Sequence, residues 1–147
     1  MIFTMPALAQ SLADYLAPEL PGVTFYADPN QQGTRPPALF LRQTHSRISS
    51  HAGGRLLRRL GLDLVYLERP NRPDGDSRLQ AAADALDLCL ETFPYAEPNV
   101  RLRTYDRRWE IGEETLHYKF NLKLWLTKQE DAVLMQSIQH LRTEVEP

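Results

Sequence analysis

The residues that could carry out chemistry are one cysteine, four histidines and a few acidic pairs. Cys89 lies within an apolar pattern of helical spacing, where a free thiol packs as a small hydrophobic side chain. A nucleophilic thiol would need a polar, partly open site with a base beside it. The sequence therefore predicts that Cys89 belongs to the core.

The histidines lack the spacing of a metal site. No two of them stand four residues apart on a helix, and no cluster of cysteine and histidine exists. Asp74 and Asp76 flank a glycine, but the further oxygen ligands and the closing glutamate of an EF-hand loop are missing. We therefore predict surface positions for the histidines, no cofactor or metal, no catalytic residue and no enzymatic activity. The histidines are His45, His51, His117 and His140.

The composition narrows the possible classes of protein. The chain has 147 residues with 17 basic and 19 acidic side chains, so its net charge is −2. A domain whose whole surface binds nucleic acid is usually clearly basic, which this chain is not. A single cysteine excludes a disulfide framework and fits a reducing compartment. No apolar run reaches the length of a membrane span, and the start lacks a signal-peptide pattern, so we expect neither export nor membrane insertion.

A basic stretch surrounds a Gly-Gly pair. Residues 38–68 form two extended segments joined by Gly53 and Gly54, which can supply the positive φ angles of a tight turn. The two segments at the base of this hairpin, residues 38–41 and 62–67, are mostly apolar, whereas residues 42–60 are mostly polar or basic. We predict a long β-hairpin with its base in a sheet and its tip projecting as an arm. The candidate contact residues of the tip are Arg47, His51, Gly53, Gly54, Arg55, Arg58 and Arg59.

Two further surfaces are candidates for contact with a partner. Along one predicted strand, basic and aromatic residues alternate, and this pattern is found where proteins bind single-stranded nucleic acid. The same residue types are also favoured at protein interfaces, and nearby acidic residues weaken a phosphate-binding field, so we prefer the protein interface. These residues are Arg101, Arg103, Tyr105, Arg107 and Trp109. The other surface is the polar loop at 31–37, with Gln32, Gly33 and Arg35 as its candidate contacts.

The elements that would position these residues follow from periodicity and turn signals. Helical spacing predicts helices, and the clearest alternation, at 115–127, predicts a strand with one face on a core. Ser77 and Gln80 fit a capping box at the start of the second helix. The predicted helices lie at 5–17, 77–93 and 129–142, a strand at 23–27, and hairpins at 38–68 and 100–127. This order indicates one α+β domain over 1–147, a mostly antiparallel sheet packed against two or three helices.

Three strings carry a resemblance to a known family. They are LPGVTFYADPNQQGTRPPALFLRQ, GLDLVYLERP and RLRTYDRRWEIGEETLHYKFNLKLWL. In their order along the chain they resemble the phage tail terminator family, the small tail-completion proteins of tailed phages and prophages. The family commonly has an aromatic residue after the loop glycine, where this chain has Thr34.

The resemblance implies a function in virion assembly. Family members form a six-membered ring that caps the head-proximal end of the tail tube, stops its polymerisation and joins it to the neck, without enzymatic activity. The implied partners are other copies of the chain, the tail tube protein, a neck or head-completion protein, the sheath of a contractile tail, and genome DNA that passes through the lumen without specific binding. The implied place is the virion, after assembly in the host cytoplasm. The alternatives are a neck or connector protein, or a nucleic-acid-binding module that uses the basic hairpin.

Overall fold

A computed structural model describes residues 3–26 and 33–127. The predicted helix at 129–142, His140 and Gln32 lie outside the described residues. The described chain forms two α-helices, six β-strands and a short 3-10 turn, Ala52–Gly54. The helices are α1 (Met5–Leu16) and α2 (Gly75–Cys89), and the strands are β1 (Thr24–Tyr26), β2 (Ala38–His51), β3 (Arg55–Leu67), β4 (Thr92–Tyr95), β5 (Glu97–Gly112) and β6 (Thr115–Thr127).

All six strands belong to one sheet, in the order β1-β2-β3-β6-β5-β4. The β1–β2 pair is parallel, and the other pairs are antiparallel. The central strands β3 and β6 pair along their whole length, from Arg55 opposite Thr127 to Leu67 opposite Thr115. The predicted α+β class, with its mostly antiparallel sheet, is confirmed.

The hairpin of β2 and β3 has the predicted strands and turn, but its tip does not project from the sheet as two strands alone. Gly53 and Gly54 have φ angles of 76° and 72°, a region that glycine enters without the steric cost of a Cβ. Because β6 runs beside β3 as far as this turn, three strands reach the tip together. Leu56 and Leu57, near the tip, are buried. The predicted two-stranded projecting arm is therefore not confirmed.

The sheet has two unlike faces, which we name by their contents. On the core face, six alternate side chains of β6 are buried, as the alternation predicted. The helices cover this face with Leu8, Leu12 and Leu16 from α1, and with Leu79, Ala83 and Leu86 from α2. The opposite side, which we call the charged face, carries the remaining residues of the same strands. The six buried residues of β6 are Leu116, Tyr118, Phe120, Leu122, Leu124 and Leu126.

Helix α2 and its C-terminal connection differ from the prediction in two places. Asp74 is the N-cap and Ser77 lies inside the first turn, so the predicted capping box is wrong. The helix ends at Cys89, and the chain then enters β4, a strand that the sequence reading missed because Pro94 indicated a break. Phe93, expected on the helical stripe, is instead buried from this strand.

Candidate interaction surfaces

Cys89 packs against the core, as predicted. Its burial, together with the nearby Glu19 carboxylate, raises the pKa of the thiol to about 11. The thiol is therefore protonated at neutral pH and is a poor nucleophile. The hydroxyl of Tyr15 donates a 2.7 Å hydrogen bond to the backbone carbonyl of Cys89, which ties the end of α2 to α1.

The three histidines within the described residues divide into a half-buried one and two exposed ones. Nδ1 of His117 lies 2.9 Å from Oδ2 of Asp63, whose side chain is almost completely buried, while the His117 side chain is 33% exposed and faces outward on β6, as predicted. The register of β3 with β6 puts the two residues on the charged face, a long-range pairing that local patterns do not reveal. His45 and His51 are exposed, as predicted. Within residues 3–26 and 33–127, no group of three potential ligands is close enough to hold a metal.

The arginines of the hairpin tip lie on both sides of the sheet. Because side chains alternate along a strand, Arg55 and Arg59 extend from the charged face while Arg58 extends from the core face. Arg47 pairs directly with Arg59 and shares its face. The structure therefore brings Arg47, Arg55 and Arg59 together and separates Arg58 from them.

A row of three cations crosses the charged face. Arg47 on β2 lies opposite Arg59 on β3, which lies opposite Lys123 on β6. In the described part of the chain, neither Arg47 nor Arg59 forms an ion pair. Like charges placed directly opposite each other destabilise a sheet, so this basic row costs folding stability. Sequence reasoning missed Lys123 as a member of the basic row, because Lys123 reaches Arg59 only through the pairing of β3 with β6.

Aromatic rings and histidines border the basic row. The Nζ of Lys123 is 4.3 Å from the ring centre of Tyr105, and the guanidinium of Arg55 is 4.1 Å from that of Trp125. The ring of His51 meets Trp125 edge-on at 5.0 Å between centroids. Contacts of this kind contribute about 0.5–1 kcal/mol each at exposed sites. Trp125 nevertheless remains 46% exposed, which leaves an apolar surface among cations.

The imidazole of His45 borders the row on the side away from the tip. It lies over Gly61, together with the hydroxyl of Thr44, in the space that a Cβ would fill. Only a glycine in the middle of β3 allows this close approach of the two side chains to the backbone.

The predicted basic and aromatic face of β5 is interrupted by a bulge. The register shifts between Tyr105 and Arg108, where β5 has one residue more than β6, and this extra residue reverses the alternation of side chains. As a result, Arg107 and Trp109 both form hydrogen bonds with Asp87 on α2. Arg107 Nη1 donates to the backbone carbonyl oxygen of Asp87 at 2.8 Å, and Trp109 Nε1 donates to its Oδ2 at 3.2 Å. Tyr105 stays on the charged face, beside Lys123. The prediction of one continuous face is therefore wrong.

The other two arginines of β5 are engaged by neighbouring parts of the chain. The Nε of Arg101 donates to the hydroxyl of Thr92 at 3.1 Å, and Arg103 forms a 3.2 Å ion pair with Glu91. Both contacts join β5 to the segment around β4. Arg101 and Arg103 thus have partners within the chain, in contrast to Arg47 and Arg59.

The candidate loop lies far from the hairpin tip. Of its described residues, Gly33 and Arg35 are exposed, and the backbone N–H of Arg35 donates to the hydroxyl of Tyr26 at 3.2 Å. This loop leads into the start of β2, whereas the tip follows its end, and a strand of that length spans roughly 45 Å. The structure therefore places the two predicted contact regions at opposite ends of one strand.

Sequence reasoning missed an acidic surface on α2. Its outward-facing residues include Asp76, Asp84 and Leu88, which recur at intervals of four or eight and are exposed. Leu88 is 88% exposed, the largest value among the exposed large hydrophobic residues of the described chain. Between residues 74 and 91 there are five acidic side chains and one arginine. The spacing could have revealed this acidic helix surface, because the exposed positions follow the same helical periodicity as the buried Leu79, Ala83 and Leu86.

These features define an α+β fold with charged surfaces on its sheet and on helix α2. The family model described as phage tail terminator protein matches residues 7–133, and the chain therefore belongs to the phage tail terminator family. The predicted resemblance is thus confirmed. The comparison with curated proteins gives no match. Membership makes the protein a structural component of a phage tail that interacts with other tail components. Among the described helices, none is long and apolar enough to cross a membrane.

Proposed function

We propose that six copies of this chain form a ring that caps the head-proximal end of the tail tube, ends its polymerisation and joins the tail to the neck. The observation that carries this proposal is the family match, which extends over residues 7–133. The partners are the tail tube protein on one side and a neck or head-completion protein on the other, with the sheath added in a contractile tail. Assembly takes place in the bacterial host cytoplasm, and genome DNA passes through the lumen without a specific site.

The edge of the sheet supports a function in assembly. Within the described residues, β1 pairs with β2 only at residues 38–40, so residues 41–51 form an edge without a strand partner. Such an edge presents N–H and C=O groups that can add a strand from another protein. The bulge between Gln43 and His45 and the exposed arginines Arg42 and Arg47 limit unspecific pairing along this edge. A restricted edge of this kind suits contact with a specific neighbour.

The proposed ring and its capping activity can be tested with the purified full chain and the tail tube protein of the same phage. Native mass spectrometry should give a mass six times that of the 16.9 kDa chain, and negative-stain images should show rings. Added before tube polymerisation, the protein should shorten the tubes and sit at one end. A monomer that leaves tube length unchanged would overturn the proposal. A ring that binds the neck protein without affecting tube growth would support a connector instead.

Deletion of the hairpin tip is a poor test of its contacts. Removal of residues 49–57 would take away the buried Leu56 and Leu57 and would leave the end of β6 without its partner strand. Loss of assembly could then reflect loss of the fold. Substitution of exposed side chains separates the two effects.

A further inference from the structure

Two segments of this nearly neutral chain carry strong and opposite charge. Residues 42–59 contain five arginines and no acidic residue, whereas residues 74–91 contain five acidic residues and one arginine. The first segment includes two members of the basic row, and the second carries the acidic helix surface. Asp76 and Asp84 are its carboxylates free of ion pairs and of bonds to the sheet within the described residues, since Asp74 and Glu91 form ion pairs with arginines and Asp87 bonds to the sheet. The attraction between such surfaces in separate molecules steers and strengthens association.

The two surfaces cannot meet within one chain. Helix α2 packs on the core face, with Leu79, Ala83 and Leu86 buried against the sheet, so its exposed acidic residues Asp76 and Asp84 point away from the sheet on that side. The basic row lies on the opposite face of the sheet. A contact between the basic row and the acidic helix surface therefore has to join two molecules. In such a pair, one molecule still has a free basic row and the other still has a free acidic helix surface. Such a head-to-tail contact closes into a ring when the rotation between neighbours allows it.

Each surface also carries an exposed apolar side chain. Among the described residues, the exposed large hydrophobic side chains are Ile48, Leu88 and Trp125. Leu88 lies on the acidic helix surface between Asp84 and Glu91, and Trp125 lies two residues from Lys123 on the same face of β6. A contact that pairs Leu88 with Trp125 would bury both while it brings the opposite charges together, as the apolar centre and polar rim of a protein interface do.

We propose that the ring neighbour of each subunit docks its acidic helix surface on the basic row, with Leu88 against Trp125. This proposal rests on the proposed function, since it names the surfaces through which identical copies meet. The net charge of −2 favours a protein partner over single-stranded nucleic acid, because domains that bind nucleic acid are usually clearly basic.

Charge exchange at one pair of positions tests the proposed interface. Arg59 has no ion pair in the described part of the chain, and Asp84 has only a long 3.5 Å contact with Gln80, so both can be changed with little effect on the fold. We expect Arg59→Glu and Asp84→Arg each to weaken self-association of the full chain about tenfold or more at low salt. The double variant should recover most of that loss, because the opposite charges face each other again with their signs exchanged. Arg69→Glu, the same change just beyond the end of β3 that lies away from the tip, is the matched control and should have no effect.

The readout is the oligomer distribution against protein concentration, measured by light scattering at low and at high salt, with circular dichroism to confirm folding. Wild-type association should weaken as salt rises, because the contact depends on exposed charges. If a ring forms and tolerates both single variants, the docking proposal is wrong and the proposed function stands. If the wild-type chain is monomeric, leaves tube ends uncapped and binds a single-stranded oligonucleotide that Arg59→Glu releases, both proposals fail and the basic row binds nucleic acid.

Discussion

Along β6, side chains on the core face are buried, whereas those on the charged face are half-buried or exposed. On the core face, even the polar group is paired, since the hydroxyl of Tyr118 donates to Oδ1 of Asp87 at 2.7 Å. On the charged face, Lys123 stands beside another cation, and the side-chain oxygen of Asn121 has no hydrogen-bond partner in the described part of the chain. One side of the strand thus stabilises the fold, whereas the other keeps an exposed cation, Lys123, that a partner can contact, and a buried polar oxygen that a partner cannot reach.

Two buried carboxylates, Asp63 in β3 and Glu68 just after it, show the same contrast between the core face and the charged face. Glu68, with a side chain fully buried, accepts hydrogen bonds from the N–H of Arg69 at 2.9 Å, the hydroxyl of Tyr66 at 3.1 Å and Nε of Arg78 at 2.9 Å. Asp63, on the charged face, is bonded through one oxygen, while its Oδ1 has no partner among the described residues. The carboxylate near the helices is fully satisfied, and the one on the charged face is satisfied by half.

The largest expected difference concerns apolar side chains on opposite faces of β6. Phe120→Ala leaves a cavity in the core and should reduce the free energy of unfolding by about 3–5 kcal/mol. Trp125→Ala removes a half-exposed ring that lies opposite the buried Leu57, together with its cation contact, and should cost about 1–2 kcal/mol. Urea denaturation of both variants measures the two values. Equal losses would show that the charged face contributes to stability as the core face does.

A smaller difference should separate the two carboxylates. Glu68→Ala leaves Arg78 and the hydroxyl of Tyr66 without their acceptor, and we expect a loss of about 1–3 kcal/mol of unfolding free energy. Asp63→Ala removes a single hydrogen bond from His117 and should cost about 1 kcal/mol. The same denaturation experiment ranks them, and a greater loss for Asp63→Ala would contradict the contrast between the faces.

The same carboxylate should make stability depend on pH in acid. Burial alone would raise the pKa of Glu68, but hydrogen bonds from the Arg69 N–H, Arg78 and Tyr66 outweigh it and lower the pKa below its ordinary value. Because the pKa of Glu68 is lower in the folded state than in the unfolded state, the ionised carboxylate stabilises the folded protein. This stabilisation is fully present above the unfolded-state pKa, near 4.3, and is lost as the pH falls through the folded-state pKa. Denaturation of wild type and Glu68→Gln from pH 7 down to about 3 should show a steeper acid loss in the wild type. Parallel curves would exclude this contribution.

The smallest expected change in stability has the opposite sign. Arg59→Thr removes the central cation of the basic row and relieves its repulsion from Arg47 and Lys123, so the free energy of unfolding should rise by about 0.2–0.5 kcal/mol at low salt. Self-association should weaken in the same variant, because the cation that would face the acidic helix surface is gone. A destabilised Arg59→Thr would indicate that the row stabilises the subunit itself.

The sequence predicts those parts of the fold that depend on neighbouring residues. Helical spacing of Leu8, Leu12 and Leu16 located α1, alternation located β6, and the Gly-Gly pair located the hairpin turn, because each pattern repeats within one element. The bulge in β5 is different. It depends on Asp106 adopting a φ of 53°, a conformation that aspartate tolerates but that no local pattern requires. For that reason Arg107 was assigned to the wrong face.

The candidate surface was predictable only in part, because its residues come together through long-range pairing. Arg47 and Arg59 belong to one hairpin, and a tight turn suffices to place them opposite each other. Lys123 and Trp125 join them through the register of β3 with β6, which connects residues more than 60 positions apart. The strand β4 was missed for another reason, since Pro94 is uncommon inside a strand and β4 lies at the sheet edge, where proline is tolerated.

Cross-linking provides the most direct test of the claim that the charged face of one subunit binds α2 of the next. In a Cys89→Ser background, Leu88→Cys and Trp125→Cys place thiols on opposite sides of the sheet, where they cannot pair within one chain. Under oxidising conditions the double variant should give a ladder of disulfide-linked chains that ends at six, while either single cysteine gives no more than dimers. Double-variant chains that remain unlinked, in a sample that still forms rings, would contradict this interface.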